Sequence, residues 1–199
     1  MIKVLNESGF EESLLGLGLN KNIISIEDYD YIKCIPDDKD RYEKTFGRIY
    51  NTACKLAGKG SGHDKFLESI NVQMYIEAPR YIWQEFDTYR VGITKQSQST
   101  MNSIKKNGID TNMFEDMELE ANNEDMLMIV EALSRIHSRG NLHDIKVALP
   151  EGFIQSRVVS TNYKTIRNIY HQRINHRMKW WKENLNSLIE QLEHPEFIV

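Results

Sequence analysis

A stretch rich in positive charge and aromatic rings, TNYKTIRNIYHQRINHRMKWWK, lies at residues 161–182. From residue 152 to residue 182 the chain has seven Lys and Arg residues and no Asp or Glu, although the whole protein carries a formal net charge of −4. Such local segregation of positive charge indicates an anionic partner that is held at one place. The first question is therefore which anion this stretch binds.

Arg173 is the residue of this stretch that most clearly requires a binding partner. Ile166, Ile169 and Tyr170 predict one apolar helix face, and Arg173 lies two turns beyond Ile166 on that face. A guanidinium there requires a partner, because an unpaired buried charge is very costly. The partner is either a carboxylate of the fold or a ligand phosphate or base carbonyl, which suits the planar fork of arginine.

A second interpretation of the whole stretch is a groove for single-stranded nucleic acid, built from cations and stacking aromatic rings. This interpretation ranks below a small anionic ligand, because several cations share the faces of apolar residues and do not form one outward stripe. Trp180 and Trp181 are expected to be core or interface anchors, which is the commoner role of tryptophan.

Composition predicts one domain over residues 1–199, because 40% hydrophobic residues can build a single substantial core. No apolar run is long enough to span a bilayer, and the acidic start of the chain does not resemble a signal peptide. Cys34 and Cys54 form no CxxC pair, so neither a disulfide framework nor a metal site is predicted. We expect a cytoplasmic protein with no membrane partner, and the overall acidity argues against general nucleic-acid binding.

Hydrophobic periodicity predicts the elements that must position these residues. Strands are predicted at residues 2–5, 22–26, 71–79 and 153–160. Helices are predicted at residues 41–58, 64–70, 80–93, 122–139 and 142–149, and from residue 162 onward with a break near residue 175. This mixture predicts an α/β or α+β fold, with a mixed sheet flanked by helices and a helix-rich C-terminal half.

The segment KVALPEGFIQSRVVSTNYKTIRNIYHQR is similar to the pattern R-x-x-LP … N-x-R-S-L-x-N-F … R of the flavin-dependent thymidylate synthases (ThyX). The resemblance implies that Lys146 replaces an Arg that binds the nucleotide. It implies that Asn162 and Asn168 contact the flavin, with Lys164 in place of a flavin-contacting Arg. Arg173 falls on the Arg that holds and activates the pyrimidine base, so it would be the catalytic residue.

An earlier block, GHDKFLESINVQMYIEAP, resembles the family pattern GHETPFEHxxFTFxxxxP. The resemblance implies that His63 and Lys65 belong to the flavin-binding set and that Glu68 is the matching Glu. A His that follows a Gly in a loop is usually only solvated, so its assignment depends on its place within the block.

The middle block corresponds to the family signature RHRxxSxNxxSxR, which a Gln precedes by three residues. Gln84 matches that Gln and Ser97 matches the second Ser, and the resemblance implies that both position the nucleotide. Lys95, Gln98 and Ser99 complete the nucleotide-binding set. Ser97 is assigned to positioning and not to nucleophilic attack, because no base lies near it in the motif.

The signature is altered at several positions, with Asp87-Thr88-Tyr89 in place of RHR, Gly92 in place of the first Ser and Ser99 in place of the last Arg. Tyr89 and Arg90 are the remaining candidates for flavin contact. Asp87 beside a flavin phosphate would be repulsive, and Ser99 cannot form the bidentate pair that an Arg forms with phosphate. Lys95 could restore one positive charge, as a point charge without fork geometry.

The resemblance implies a homotetramer with active sites shared between subunits. Its reaction would methylate dUMP to dTMP with FAD, NADPH and methylenetetrahydrofolate, and the cofactors would supply the electron chemistry. Two alternatives stay open. One is a related flavoenzyme that adds a one-carbon group to another pyrimidine nucleotide, and the other is a non-catalytic nucleotide-binding protein with the same fold.

Overall fold

The computed structural model describes residues 1–115 and 123–199, which form a four-stranded antiparallel sheet and nine α-helices. The strands are β1 (Ile2–Ser8), β2 (Asn71–Pro79), β3 (Thr94–Ser97) and β4 (Ile154–Asn162), in the order β1-β2-β4-β3. The helices are α1 (Phe10–Asn20), α2 (Ile26–Cys34), α3 (Lys39–Leu56), α4 (Arg80–Phe86), α5 (Thr100–Asn107), α6 (Asn123–Ser138), α7 (Leu142–Ala148), α8 (Tyr163–Arg173) and α9 (Lys179–Gln191). The α+β prediction is confirmed, and the sheet is antiparallel where a mixed sheet was predicted.

The chain divides into two compact units. The first unit comprises Met1 and residues 75–90 and 95–158, and the second unit comprises residues 2–74, 91–94 and 159–199. Strands β2, β3 and β4 contribute residues to both units. The expectation of a single domain over residues 1–199 stays a prediction.

The core of the first unit is a cluster of buried aliphatic and aromatic side chains from its helices and loops, namely Ile104, Phe114, Leu133, Ile145, Leu149 and Phe153. Several half-buried residues of α6 pack against this cluster, as its amphipathic pattern predicted.

Along β2, Val72, Met74 and Ile76 are buried and alternate with more exposed residues, which is the period-two pattern predicted for that strand.

The core of the second unit includes contacts between α1 and α3, with Leu14 and Ile49 fully buried. Trp180 and Trp181 of α9 are 8% and 0% exposed. Both indoles are therefore buried anchors, as the sequence predicted, and are not available as stacking surfaces for nucleic-acid bases.

The strand predicted at residues 22–26 is wrong. Ser25 instead caps α2: its hydroxyl accepts a hydrogen bond from Asp28 N at 3.2 Å, and Asp28 Oδ2 accepts one from Ser25 N at 3.1 Å. This reciprocal capping box satisfies the first turn of the helix and outweighs the β propensity of the apolar residues before it.

Other boundaries also differ from the predictions. The helix predicted at residues 80–93 ends at Phe86, and the polar run after it contains β3 and the start of α5. The break predicted near residue 175 is confirmed, because α8 ends at Arg173 and α9 begins at Lys179. The helix predicted from residue 122 is α6, and Asn122 itself lies outside the described residues.

Within the two described stretches of the chain, no helix combines the length and the apolar character that crossing a bilayer would require.

We expect Gly18→Ala to lower the free energy of unfolding. A Cβ at Gly18 would lie 2.3 Å from Ile24 Cγ2 and 2.8 Å from Ile49 Cδ1, so the packing of α1 would have to shift. Overpacking of this kind costs about 1–3 kcal/mol, which urea denaturation measures.

Gly16→Ala is the matched control in the same helix, because no described atom outside α1 lies within 4 Å of the position of its Cβ. There the substitution should stabilise the protein by about 0.5–1 kcal/mol through helix propensity. Equal changes in the two variants would contradict the packing of Gly18.

Candidate functional site

The residues selected from the sequence fall into two sets, one in each unit. The second unit holds most of the expected flavin contacts together with the expected catalytic residue, namely His63, Lys65, Asn162, Lys164, Asn168 and Arg173. The first unit holds the expected nucleotide contacts and the remaining flavin candidates, namely Gln84, Tyr89, Arg90, Lys95, Ser97, Gln98, Ser99 and Lys146.

A cavity of about 470 Å³ in the second unit brings His63 and Lys65 together. The two side chains line it with Phe66, with residues of one face of α1, including Gly16, and with Lys21, which follows that helix. Its walls therefore combine two ammonium groups, the Glu12 carboxylate and an imidazole with aromatic, aliphatic and backbone surface, so the two lysines exceed the one acid by one positive charge. Such a lining suits an organic ligand that also carries negative charge.

Lys164 lies between two carboxylates of the second unit. Its Nζ is 2.6 Å from Glu68 Oε1 and 3.5 Å from Asp64 Oδ1. The hydrogen bond to Glu68 raises the pKa of the Lys164 ammonium above its usual range. The Asp64 side chain is only 7% exposed, and among the described residues its Oδ1 has this ion pair but no hydrogen-bond donor within bonding geometry. Among the described residues, Asp64 Oδ1 is therefore a buried acceptor that is compensated by the charge of Lys164 alone.

Asn162 is the N-cap of α8, and its Oδ1 accepts a hydrogen bond from Thr165 N at 2.9 Å. Gly92 passes close to this cap, with φ of 68°, and a Cβ there would lie 2.6 Å from Thr165 Oγ1 and 2.9 Å from Asn162 Nδ2. A Ser at position 92 would therefore be strained, because φ lies in the left-handed region, and it would be crowded against these two side chains. The replacement of the first signature Ser by Gly thus has a local structural reason.

Arg173 is the last residue of α8 and is half-buried, with its Cζ 5.3 Å from the centroid of the buried Trp181 ring. Ile166 and Ile169 are buried, so the predicted apolar face of α8 is confirmed and Arg173 lies at its end. Asn168 is exposed, and its Oδ1 accepts a hydrogen bond from Gln172 Nε2 at 2.9 Å.

Lys95 of the first unit is bound within the fold. Its Nζ donates to Asp87 Oδ1 at 2.9 Å and to the carbonyl oxygens of Phe86 at 3.1 Å and Tyr89 at 3.3 Å. Arg157 contacts the same carboxylate, with Nη1 2.9 Å from Asp87 Oδ1 and 3.1 Å from Oδ2. Asp87, which was expected to repel a phosphate, is thus compensated by two cations.

Titration of Asp87 reflects these contacts. Burial favours the neutral carboxyl, but hydrogen bonds from Lys95 and Arg157 outweigh it and hold the pKa of Asp87 below its usual range. A lowered pKa means that the carboxylate contributes stability at neutral pH, and that the contribution disappears as the pH falls through the folded-state pKa. Because Asp87 is half-exposed, solvent screens this contribution.

Gln84 lies on the exposed side of α4, and its Nε2 donates to Glu151 Oε2 at 2.9 Å. Arg80 of the same helix donates from Nη1 to the carbonyl oxygen of Leu149 at 2.8 Å. The turn that follows the Leu-Pro pair of the third block is thereby attached to the helix that carries Gln84.

The three residues after Gln96 have separate roles in the fold. Ser97 is exposed at the end of β3, and the Gln98 backbone pairs with Ser156 O at 2.9 Å. Ser99 is the N-cap of α5 and accepts a hydrogen bond from Asn102 N at 3.3 Å. Of the two serines at residues 97–99, Ser97 is therefore the one whose hydroxyl caps no helix and is accessible to a ligand.

The last three candidates of the first unit differ in exposure. Lys146 is exposed in the last turn of α7, and Arg90 is exposed after α4. Tyr89 is only 8% exposed, and its ring packs edge-to-face on Phe86. Little of the Tyr89 side chain is thus presented to a ligand, while its carbonyl oxygen holds Lys95.

Three charged residues that contact the residues described above were not assigned from the sequence, namely Asp64, Glu151 and Arg157. For Arg157 a signal existed, because residues 155 and 157 alternate onto one face of the strand predicted there. For Asp64 and Glu151 the deciding contacts are with residues 100 and 67 positions away in the chain. Cys34 and Cys54 are exposed thiols, and residues 1–115 and 123–199 contain no cluster of His, Cys, Asp and Glu able to hold a metal ion.

Comparison with known proteins shows which family the chain matches. The family model described as thymidylate synthase complementing protein matches residues 28–191. No curated protein matches the sequence.

Three solved structures have the same fold. A Helicobacter pylori ThyX complexed with FAD and dUMP is 14% identical with a TM-score of 0.73, and the match covers 99% of this chain and 97% of that chain. A second structure of that enzyme with FAD and dUMP is 13% identical with a TM-score of 0.76, covering 100% and 97%. The UMP/dUMP methylase PolB from Streptomyces cacaoi, bound with 5-Br dUMP, is 8% identical with a TM-score of 0.60, covering 96% and 88%.

The three blocks predicted this relationship, and the family model spans the chain from the start of α2 to the end of α9. The chain therefore belongs to the thymidylate synthase complementing protein family, the flavin-dependent thymidylate synthases (ThyX).

Proposed function

We propose that this protein methylates dUMP to dTMP, with FAD as its cofactor, NADPH as the reductant and methylenetetrahydrofolate as the one-carbon donor. The observation that carries the proposal is the cavity of about 470 Å³ that His63 and Lys65 of the first block line together. The two similar Helicobacter pylori structures, which are complexes with FAD and dUMP, support the choice of both ligands.

The residues around this cavity fit a flavin. Lys65 and Lys21 offer positive charge to the pyrophosphate, and Phe66 and Leu17 offer apolar surface to a ring. When bound, the flavin would supply the redox chemistry.

The nucleotide would be held by exposed polar groups of the first unit. Gln84 and Ser97 present an amide and a hydroxyl, and Lys146 presents an ammonium. Their task is to orient the pyrimidine nucleotide, so that its C5 atom faces the one-carbon donor. Ser99 is a helix cap and would add little direct contact.

Arg173 would act on the pyrimidine base. Its guanidinium, set against the Trp181 ring, would donate hydrogen bonds to a base carbonyl and stabilise the negative charge that develops on the ring. The ThyX resemblance implies sites shared between subunits of a homotetramer, so the residue sets of the two units need not come from one chain.

A second candidate function is the methylation of another pyrimidine nucleotide. The fold of the UMP/dUMP methylase PolB, at a TM-score of 0.60, favours keeping it open. The replaced signature residues lie in the nucleotide-binding block, so their replacement would change the preference for the base or the sugar of the nucleotide. Complementation of a thymidine auxotroph distinguishes the two candidates, because only dTMP formation restores growth.

A cytoplasmic location stays a prediction.

We predict that FAD binds in the cavity of the second unit, more weakly than in family members that have the basic triplet. His63→Ala should weaken binding by about tenfold, the order expected for loss of one good polar contact. Gly16→Phe should abolish it, because Gly16 lines the cavity and has open space in front of its Cβ position. Quenching of flavin fluorescence on titration measures both.

Gly16→Ala is the control for that experiment, since a methyl group leaves most of the cavity open. Unchanged FAD affinity in Gly16→Phe, with the protein still folded by circular dichroism, would show that the flavin does not enter this cavity.

We predict that Arg173→Ala abolishes dUMP binding and changes stability only slightly. The contact with Trp181 is a cation–π interaction, worth about 0.5–1 kcal/mol at a partly exposed position. Calorimetric titration with dUMP and thermal denaturation of the same variant measure the two effects.

Arg177→Ala is the matched control, because Arg177 is an exposed cation of the same basic stretch. It should leave both binding and stability unchanged. If Arg173→Ala instead cost about 3–5 kcal/mol of stability and bound dUMP normally, Arg173 would be one half of a structural ion pair.

We predict a homotetramer in solution. Light scattering at micromolar concentration should give four times the mass of the 23.3 kDa chain. A stable monomer that nevertheless binds dUMP and FAD would contradict the shared site, while leaving the ligands themselves in place.

A further inference from the structure

Two cations of the first unit converge on a single oxygen atom. Asp87 Oδ1 accepts hydrogen bonds from Lys95 Nζ and from Arg157 Nη1, both at 2.9 Å. The side chains of Lys95 and Arg157 are 14% and 13% exposed, whereas that of Asp87 is 47% exposed. The arrangement is therefore a pair of nearly buried cations covered by a carboxylate that faces solvent.

Each cation is also held by contacts that do not involve Asp87. The carbonyl oxygens of Phe86 and Tyr89 accept from Lys95 Nζ at 3.1 and 3.3 Å. Arg157 Nη2 donates to Gln155 Oε1 at 3.2 Å.

The guanidinium of Arg157 is fixed in a second way, because its Cζ lies 4.1 Å from the centroid of the Trp83 ring. The Trp83 indole is itself anchored, since its Nε1 donates to Gln155 O at 2.8 Å. With these contacts in place, both cations would keep their positions if the carboxylate moved away. Such a pair is preorganised for an anion.

Asp87 is the most exposed member of the cluster, and its charge also has one unfavourable interaction. It occupies the C-cap of α4, where a negative charge faces the negative end of the helix dipole. One carboxylate also leaves two positive charges incompletely neutralised. Arg157 Nε is buried without a hydrogen-bond acceptor in the part of the chain that the structure describes. A phosphate monoester carries close to two negative charges and three acceptor oxygens, and it matches this pair better.

We propose that Lys95 and Arg157 form a binding site for the phosphate monoester of the nucleotide, and that Asp87 occupies this site as an internal competitor in the ligand-free chain. The identity of the ligand as a nucleotide rests on the proposed function, whereas the anion site itself does not. Binding would require the carboxylate to turn out toward solvent, where it is already half-exposed. Asp87, which replaces a family Arg in this sequence, would then lower the affinity for phosphate.

Asp87→Asn tests the proposal through binding of two probes, inorganic phosphate and dUMP, by calorimetry at fixed ionic strength. Removing one competing, half-exposed ion pair should tighten the binding of both by about fivefold. Asp87→Asn combined with Arg157→Gln should lose this gain. Asp30→Asn, which removes one exposed carboxylate from α2, is the matched control for net charge and should bind both probes like the unaltered protein.

A second measurement does not depend on the folding of Asp87→Asn. In the otherwise unaltered protein, Arg157→Gln should abolish the line broadening of the inorganic phosphate ³¹P resonance that bound phosphate produces. Retention of that broadening in Arg157→Gln, or equal phosphate affinity with and without Asp87→Asn, would overturn the proposal and leave a structural ion cluster. If inorganic phosphate responds to both substitutions but dUMP binds to no variant, the anion site stands and the proposed nucleotide function fails.

Discussion

The hydrogen bond from Thr165 N to Asn162 Oδ1 determines how the basic stretch is presented. It marks the residue at which β4 ends and α8 begins, and so it sets the helical register of the cations of α8. The cap needs room, which Gly92 provides with a left-handed backbone and no side chain. Without this junction, Lys164 would not reach Glu68 and Arg173 would not end the helix beside Trp181.

Positive charge that is concentrated in the sequence is distributed among separate partners in the fold. Lys164 is paired with two carboxylates, and Arg157 with one. Arg167 donates from Nη1 to the carbonyl oxygens of Phe197 and Ile198 at 3.0 and 2.8 Å. The stretch is therefore not one continuous basic surface, which weakens the interpretation as a groove for single-stranded nucleic acid.

The altered signature has two kinds of physical basis. At position 92, glycine is required by the close approach of the α8 cap. At position 87, the carboxylate is accommodated by Lys95 and by Arg157. The carboxylate that replaces an Arg of the signature thus meets one cation of its own block and one cation of β4. Such compensation is visible only when the partners are seen together.

The sequence by itself determined the family, most of the helices and strands, and which residues of the three blocks to inspect. Periodicity was sufficient for β2, α3 and α6, because each buries one face with a regular repeat. It failed at residues 22–26, where a capping box overrode apolar residues. Only the tertiary structure decided that Asp64 is buried beside Lys164, that Glu151 holds Gln84, and that Arg157 meets Asp87. These pairs join residues 67 to 100 positions apart, and no local pattern records a contact made across that distance.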